Sequence, residues 1–219
     1  MQHAHNMDTA IKEALSRIKV VATDVDGIFT PDTMTFFVEP SDKTAPFGLA
    51  SAGQTIRLAP VDSDGNRIEY FSTNASRIEG YSFYTPDGIA VRECVRFEIP
   101  FIMISGRRSP AVDQRAKDLG AIPLLGIKDK MKHLEALLGQ FGASWDELLF
   151  MGNDIPDLSV IRAAGFSACP SDAMQEIKTE VDYVAQNLGG HGAVREVVQM
   201  MFEAKGLWQE IVSRERTLG

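Results

Sequence analysis

The 219-residue chain is expected to fold as an α/β protein, a parallel sheet with helices on both faces. Three observations predict this. Continuous apolar runs at 18–24, 100–105, 148–151 and 166–169 alternate with segments of helical periodicity, the pattern of strands buried on both faces and joined by crossover helices. The polar clusters follow these runs, and ligands of such sheets bind beyond the carboxyl ends of the strands. With 44% hydrophobic and 24% charged residues, the chain can bury a full core as a single domain spanning 1–219 with a modest insertion.

Taken in order, residues 8–17 predict a short helix capped by Asp8, leading into the first strand at 18–24. Residues 31–86 break the alternation. Pro31, Pro40, Pro46 and Pro60, with Gly48, Gly53 and Gly65, punctuate β-prone pieces at 33–38 and 67–71, and Asp62-Ser63-Asp64-Gly65-Asn66 is a turn signal between two candidate strands. This is an enlarged β-rich insertion after the first strand, too long for a bare loop. It serves either as a flap over the site or as an oligomerisation surface. A helix near 87–97 precedes the strand at 100–105; a helix at 109–119, stopped by Gly120, precedes a short strand at 122–125. Residues 129–140 place Met131, Leu134, Leu137 and Leu138 on one helical face. The strand at 148–151, a helix at 156–164, a strand at 166–169, a helix near 172–179, a strand at 183–185 and a final helix from about 192 complete the pattern.

The net charge of −8 argues against a nucleic-acid partner, which needs a basic face. It does not exclude an anionic small molecule held by a metal and a few basic side chains. Cys94 and Cys169, without CxxC spacing, are expected to be reduced packing residues. No run approaches a membrane span and no basic-then-apolar leader is present, so a cytoplasmic protein without membrane partners is the expectation. His3 and His5 are expected to lie in a disordered N-terminal stretch rather than to ligate a metal.

Four polar clusters fall on one predicted edge: Asp24-Val25-Asp26-Gly27, Ser105-Gly106-Arg107-Arg108, Lys130, and Gly152-Asn153-Asp154. Side chains two apart on a strand point the same way, so Asp24 and Asp26 converge on one small volume. Two carboxylates that close require a cation or a proton between them. Gly27 lets the backbone turn where a phosphate approaches. Each cluster also has a plainer explanation: a solvated Asp-rich turn, Ser105 as a helix cap, Lys130 as one solvated lysine beside Lys128 and Lys132, and His133 as a helix-surface residue. Asp157 is either an ordinary cap or an orienting group for Lys130 or a metal.

Hard oxygen donors without a His/Cys cluster favour Mg²⁺ over Zn²⁺. The chemistry that fits is phosphoryl transfer, with Asp24 attacking phosphorus and Asp26 as general acid, then base. Ser105 and Lys130 hold the phosphoryl oxygens. Arg107, Arg108 and Arg195 are candidates to meet a carboxylate on the substrate.

Asp24-Val25-Asp26-Gly27, Ile104-Ser105-Gly106-Arg107, Lys130 and Gly152-Asn153-Asp154-Ile155-Pro156-Asp157 resemble the four ordered motifs of the haloacid dehalogenase-like phosphohydrolases. More narrowly, Gly189-Gly190-His191-Gly192-Ala193-Val194-Arg195-Glu196 resembles the C-terminal signature of the 3-deoxy-D-manno-octulosonate 8-phosphate phosphatase family. The resemblance implies a Rossmann-like core, Mg²⁺, Asp24 as nucleophile and Asp26 as acid/base. It implies metal ligation by Asp24, the main-chain carbonyl of Asp26 and the fourth motif, through Asn153 or Asp154. Gly106, Asp87, Arg107, Arg108 and Arg195 are expected on the substrate side. A small phosphomonoester such as a sugar-acid phosphate is implied, as is a homotetramer whose C-terminal tail reaches a neighbour's site.

The sequence departs from that pattern at several positions. Asn153 stands where a metal-binding aspartate is expected, Pro86-Asp87-Gly88 replaces Arg-Asp-Gly, and His191 replaces a frequent Arg. The 31–86 stretch exceeds the family's simple hairpin. Asn153 and that insertion favour a competing reading, a catalytically weak or inactive binding or oligomerisation domain on the same fold.

Overall fold

The computed structural model describes residues 7–31, 35–38, 68–74 and 77–217. α1 (Thr9–Arg17) starts where the Asp8 carboxylate accepts from the Ala10 amide at 2.8 Å, and it leads into β1 (Val20–Thr23), whose four residues are all buried. The excursion follows. β2 (Thr35–Val38), β3 (Ile68–Asn74) and β4 (Arg77–Ser82) form an antiparallel sheet in the order β2-β4-β3. The expected strands near 33–38 and 67–71 are present as β2 and β3, but they do not pair with each other. The unanticipated β4 lies between them. The turn at 62–66 lies outside the described residues.

The core resumes with α2 (Thr85–Arg96), two residues earlier than expected because Pro86 fits a first helical turn. β5 (Phe101–Ser105), α3 (Pro110–Leu119), β6 (Ile122–Leu125), α4 (Lys130–Gln140) and β7 (Leu148–Met151) follow. After β7 a 3-10 turn at Ile155–Asp157 runs into α5 (Leu158–Ala163), then β8 (Phe166–Cys169). The helix expected near 172–179 is only α6 (Gln175–Lys178), because Asp172 is used elsewhere: its carboxylate accepts from the Gly189 amide at 2.9 Å. β9 (Tyr183–Val184) and α7 (Ala193–Ala204) come next. A second C-terminal helix, α8 (Trp208–Thr217), was not anticipated.

The main sheet is wholly parallel, ordered β6-β5-β1-β7-β8-β9. Pro123 sits in β6 at the sheet's edge, where a missing amide donor is tolerated. Alternate strand residues feed two cores. Val21, Phe101, Met103, Leu149 and Phe166 pack with α1, α2, α3 and α7, while Val20, Ala22, Ile102, Ile104, Leu148 and Phe150 pack with α4, α5 and α6. Cys94 and Cys169 are both buried and free. Among the described residues, no helix is long and apolar enough to cross a membrane.

α8 packs against its own chain. Arg214 pairs with buried Glu93 of α2 at 2.6 Å, and the Arg195 guanidinium of α7 lies 4.5 Å from the Trp208 ring centre. α8 is thus folded against α2 and α7.

Candidate active site

β1 lies inside the sheet between β5 and β7, and the chain returns to β7 after leaving β1 on the β5 side. The loops after these strands open where the strand order reverses, the usual place for a ligand crevice. The Asp24 amide donates to the Met151 carbonyl at 2.9 Å, so the β1 ladder carries on into the loop and brings Gly152-Asn153 beside Asp24. Ser105 closes β5 on the other flank, and Lys130 opens α4, capped by the Asp129 carboxylate.

The centre of the site is a three-membered cluster. Lys130 Nζ donates to Asp24 Oδ1 at 2.7 Å and to Asp157 Oδ1 at 2.6 Å. Asp157 Oδ2 accepts from the Asn153 amide at 3.1 Å, which ties the fourth loop to the lysine. Gly152 is required here by close approach, since an added Cβ would lie 2.5 Å from Asp157 Cβ. Two carboxylates thus share one ammonium, and one negative charge stays uncompensated. Burial first, then the Asp157 carboxylate, push the Asp24 carboxyl up to about 7 against the pull of Lys130. Burial also works against the Lys130 charge, yet the two carboxylates hold its pKa above the ordinary lysine value.

Asp26 lies beside this cluster. Its Oδ2 accepts from Ser105 Oγ at 3.4 Å, and its Oδ1 is 3.9 Å from Arg107 Nη1. Ser105 Oγ also accepts from the Arg107 amide at 3.1 Å, so one hydroxyl orders both the acid and the loop. Gly106 is exposed in that loop, and the Arg108 side chain lies against Gly126.

The remaining expected residues separate. Asn153 is buried, and its side-chain amide makes no hydrogen bond among the described residues. Asp154 is exposed and caps its own turn, accepting from the Ile155 amide at 2.7 Å. Asp87, expected to face substrate, is instead 0% exposed and accepts from the Arg195 amide at 2.7 Å and the Gly192 amide at 3.2 Å. It is spent on the start of α7. Arg195, expected in the same role, stacks over Trp208 and lines a separate cavity of about 560 Å³ with Tyr84, Tyr183 and His191; none of Asp24, Asp26, Ser105, Lys130 or Asn153 lines it. Asp157, left open between a cap and an orienting role, holds Lys130.

Oxygen donors suit a hard cation here. Among the described residues no three His, Cys, Asp or Glu side chains gather as a metal cage. The available set is mixed: the Asp24 carboxylate, whose Oδ2 has no partner among the described residues, the Asp26 main chain and the Asn153 amide. A divalent ion fits the uncompensated negative charge around Asp24.

Comparison with known proteins accords with this geometry. A curated 3-deoxy-D-manno-octulosonate 8-phosphate phosphatase of Haemophilus influenzae is 28% identical over 197 residues, covering 90% of this chain and 89% of the relative. A crystal structure of the Moraxella catarrhalis phosphatase of that name, in complex with magnesium, phosphate and KDO, superposes with a TM-score of 0.71 at 26% identity, covering 93% of this chain and 97% of that one. In sequence and fold the chain is similar to phosphatases of the haloacid dehalogenase-like group. A cobalt-bound phosphatase structure from Haemophilus influenzae, 28% identical, matches with a TM-score of 0.68 over 94% of this chain and 99% of that one. No family model matches the sequence. Within the haloacid dehalogenase-like group, the Rossmann-like sheet and the β1, β5, α4 and β7 positions of the four motifs are as the sequence implied.

Proposed function

We propose that this protein is a Mg²⁺-dependent phosphatase of a phosphorylated sugar acid, such as 3-deoxy-octulosonate 8-phosphate or a related nonulosonate phosphate. The observation that carries this reading is the Lys130 ammonium seated between Asp24 and Asp157, which among the described residues leaves Asp24 Oδ2 open beside Asp26. A metal held by Asp24, the Asp26 carbonyl and Asn153 supplies positive charge against the phosphoryl oxygens.

The protein's own groups do the rest. An Asp24 oxygen attacks phosphorus and the bond to the leaving alcohol breaks, giving an aspartyl phosphate; Asp26 gives its proton to that alcohol. Asp26, again a base, takes a proton from the water that attacks the same phosphorus, releasing phosphate and restoring Asp24. Ser105 and Lys130 steady the phosphoryl oxygens, and Asp157 keeps Lys130 in place. Arg107, with its guanidinium near Asp26, and exposed Arg108 are the cations placed to meet a substrate carboxylate. A homotetramer accompanies this reading, and light scattering after size exclusion checks it; a monomer overturns it.

A panel of sugar and sugar-acid phosphates tests the function. Phosphate release that requires Mg²⁺, stops with EDTA and is lost in Asp24→Asn supports it. No turnover on the panel at millimolar Mg²⁺ overturns it in favour of a binding domain.

A further inference from the structure

We propose that Asp87 is a positioning residue for the reaction: it caps α7 from another helix and thereby holds the Gly189-Gly190 loop against the segment that carries Asp26. This rests on the proposed function for its catalytic consequence, and on geometry alone for the brace itself.

α7 begins without a side-chain cap of its own, at Gly192. Orphan amides at a helix start need acceptors. They find one in Asp87, which lies 105 residues earlier in the first turn of α2 and takes Gly192 N on Oδ2 and Arg195 N on Oδ1. Both oxygens of a wholly buried carboxylate are used this way. Burying a carboxylate is costly, and burial pushes this one up to about 6 against its two amide donors. An apolar side chain in that place would fill space but leave the amides unmet.

Two residues before Gly192 the chain meets the catalytic loop. Gly190 N donates to the Ile28 carbonyl at 2.8 Å, and Gly189 N is held by Asp172. Backbone meets backbone: an added Cβ would lie 1.9 Å from the Gly27 carbonyl oxygen at Gly189, and 2.3 Å from Pro31 N at Gly190. The segment they press on is itself closed. The Phe29 amide donates to the Val25 carbonyl at 2.9 Å, and Asp26 bridges to Thr30. Asp87, α7, the glycine pair and Asp26 therefore form one run of direct contacts. Coupling along this run is a matter of positioning, distinct from general stability.

The control is Arg214→Ala, which removes the ion pair that ties α8 to Glu93 of α2. In Asp87→Asn, kcat on the best phosphomonoester is expected to fall about tenfold to a hundredfold, the range for groups that orient a catalytic shell, with KM changed less than about threefold. Arg214→Ala is expected to keep kcat within about twofold. Equal kcat in the two variants overturns the catalytic role. Backbone hydrogen exchange tests the brace without activity: the Gly190 amide should exchange at least about tenfold faster in Asp87→Asn than in Arg214→Ala. Unchanged Gly190 protection overturns the brace. If the wild-type protein shows no phosphatase turnover, the proposed function fails, and the brace stands or falls on that exchange rate.

Discussion

Asp24, partly exposed, and Asp87, fully buried, are both carboxyls pushed up by desolvation, to about 7 and about 6, yet the molecule uses them differently. Asp87 gives both oxygens to backbone amides and is sealed from solvent. Asp24 shares one ammonium with Asp157, keeps part of its side chain exposed and leaves an oxygen open among the described residues. Desolvation and a shifted pKa are common to both, so neither marks a reactive group. What distinguishes Asp24 is charge left uncompensated beside an unfilled acceptor; Asp87 is an acid turned into a fastener.

This contrast can be tested at four levels of effect. Asp24→Asn should cost at least about a thousandfold in phosphate release while circular dichroism and melting show an intact fold; retained turnover would make Asp24 a structural acid like Asp87. Lys130→Met leaves Asp24 and Asp157 facing each other without their shared cation. A loss of about 3–5 kcal/mol at pH 7 is expected, the cost of breaking a buried pair from one side, read from urea unfolding. A loss under about 1 kcal/mol would mean the acids discharge by taking up a proton.

Asp87 should report itself through pH. Its folded pKa, about 6, lies above the ordinary 3.8, so its favourable contribution is complete below pH 3.8 and is lost as pH climbs through 6. That gap corresponds to about 3 kcal/mol. Asp87→Asn lacks the titration and should gain on the wild type by up to that amount between pH 4 and pH 7 in denaturant unfolding; parallel curves would contradict the assignment. Asn153→Asp adds a charged oxygen to the loop after β7, beside Asp157. It should tighten Mg²⁺ binding about tenfold by calorimetry, and unchanged affinity would show that other groups already meet the ion's charge.

Much of the sheet was legible because its strands are continuous apolar runs, and the four motifs lie where those runs end. β4 was hidden: Arg77-Ile78-Glu79-Gly80-Tyr81-Ser82 carries charges and a glycine, and only its place between β2 and β3 makes it a strand. α8 was hidden by following α7 closely, with only Gly206 to mark the break. In the site, Asp24, Asp26, Ser105 and Lys130 were legible from their spacing after strands. Asp157 was visible but ambiguous, because its partner Lys130 lies 27 residues away. The role of Asp87 was illegible, since it depends on main-chain amides more than a hundred residues downstream. Local spacing identifies side chains that act at strand ends; it carries no trace of a carboxylate answering distant backbone.

The docking of α8 has a consequence for how such a cleft is shielded. With Trp208 beneath Arg195 and Arg214 locked to Glu93, residues 208–214 are committed at home. Lending this stretch to another subunit means forfeiting a guanidinium–ring contact and a half-buried ion pair. Screening of the reaction from bulk water therefore does not fall to α8, and trimming the chain after Gly206 should weaken α2 and α7 before it alters who visits the cleft.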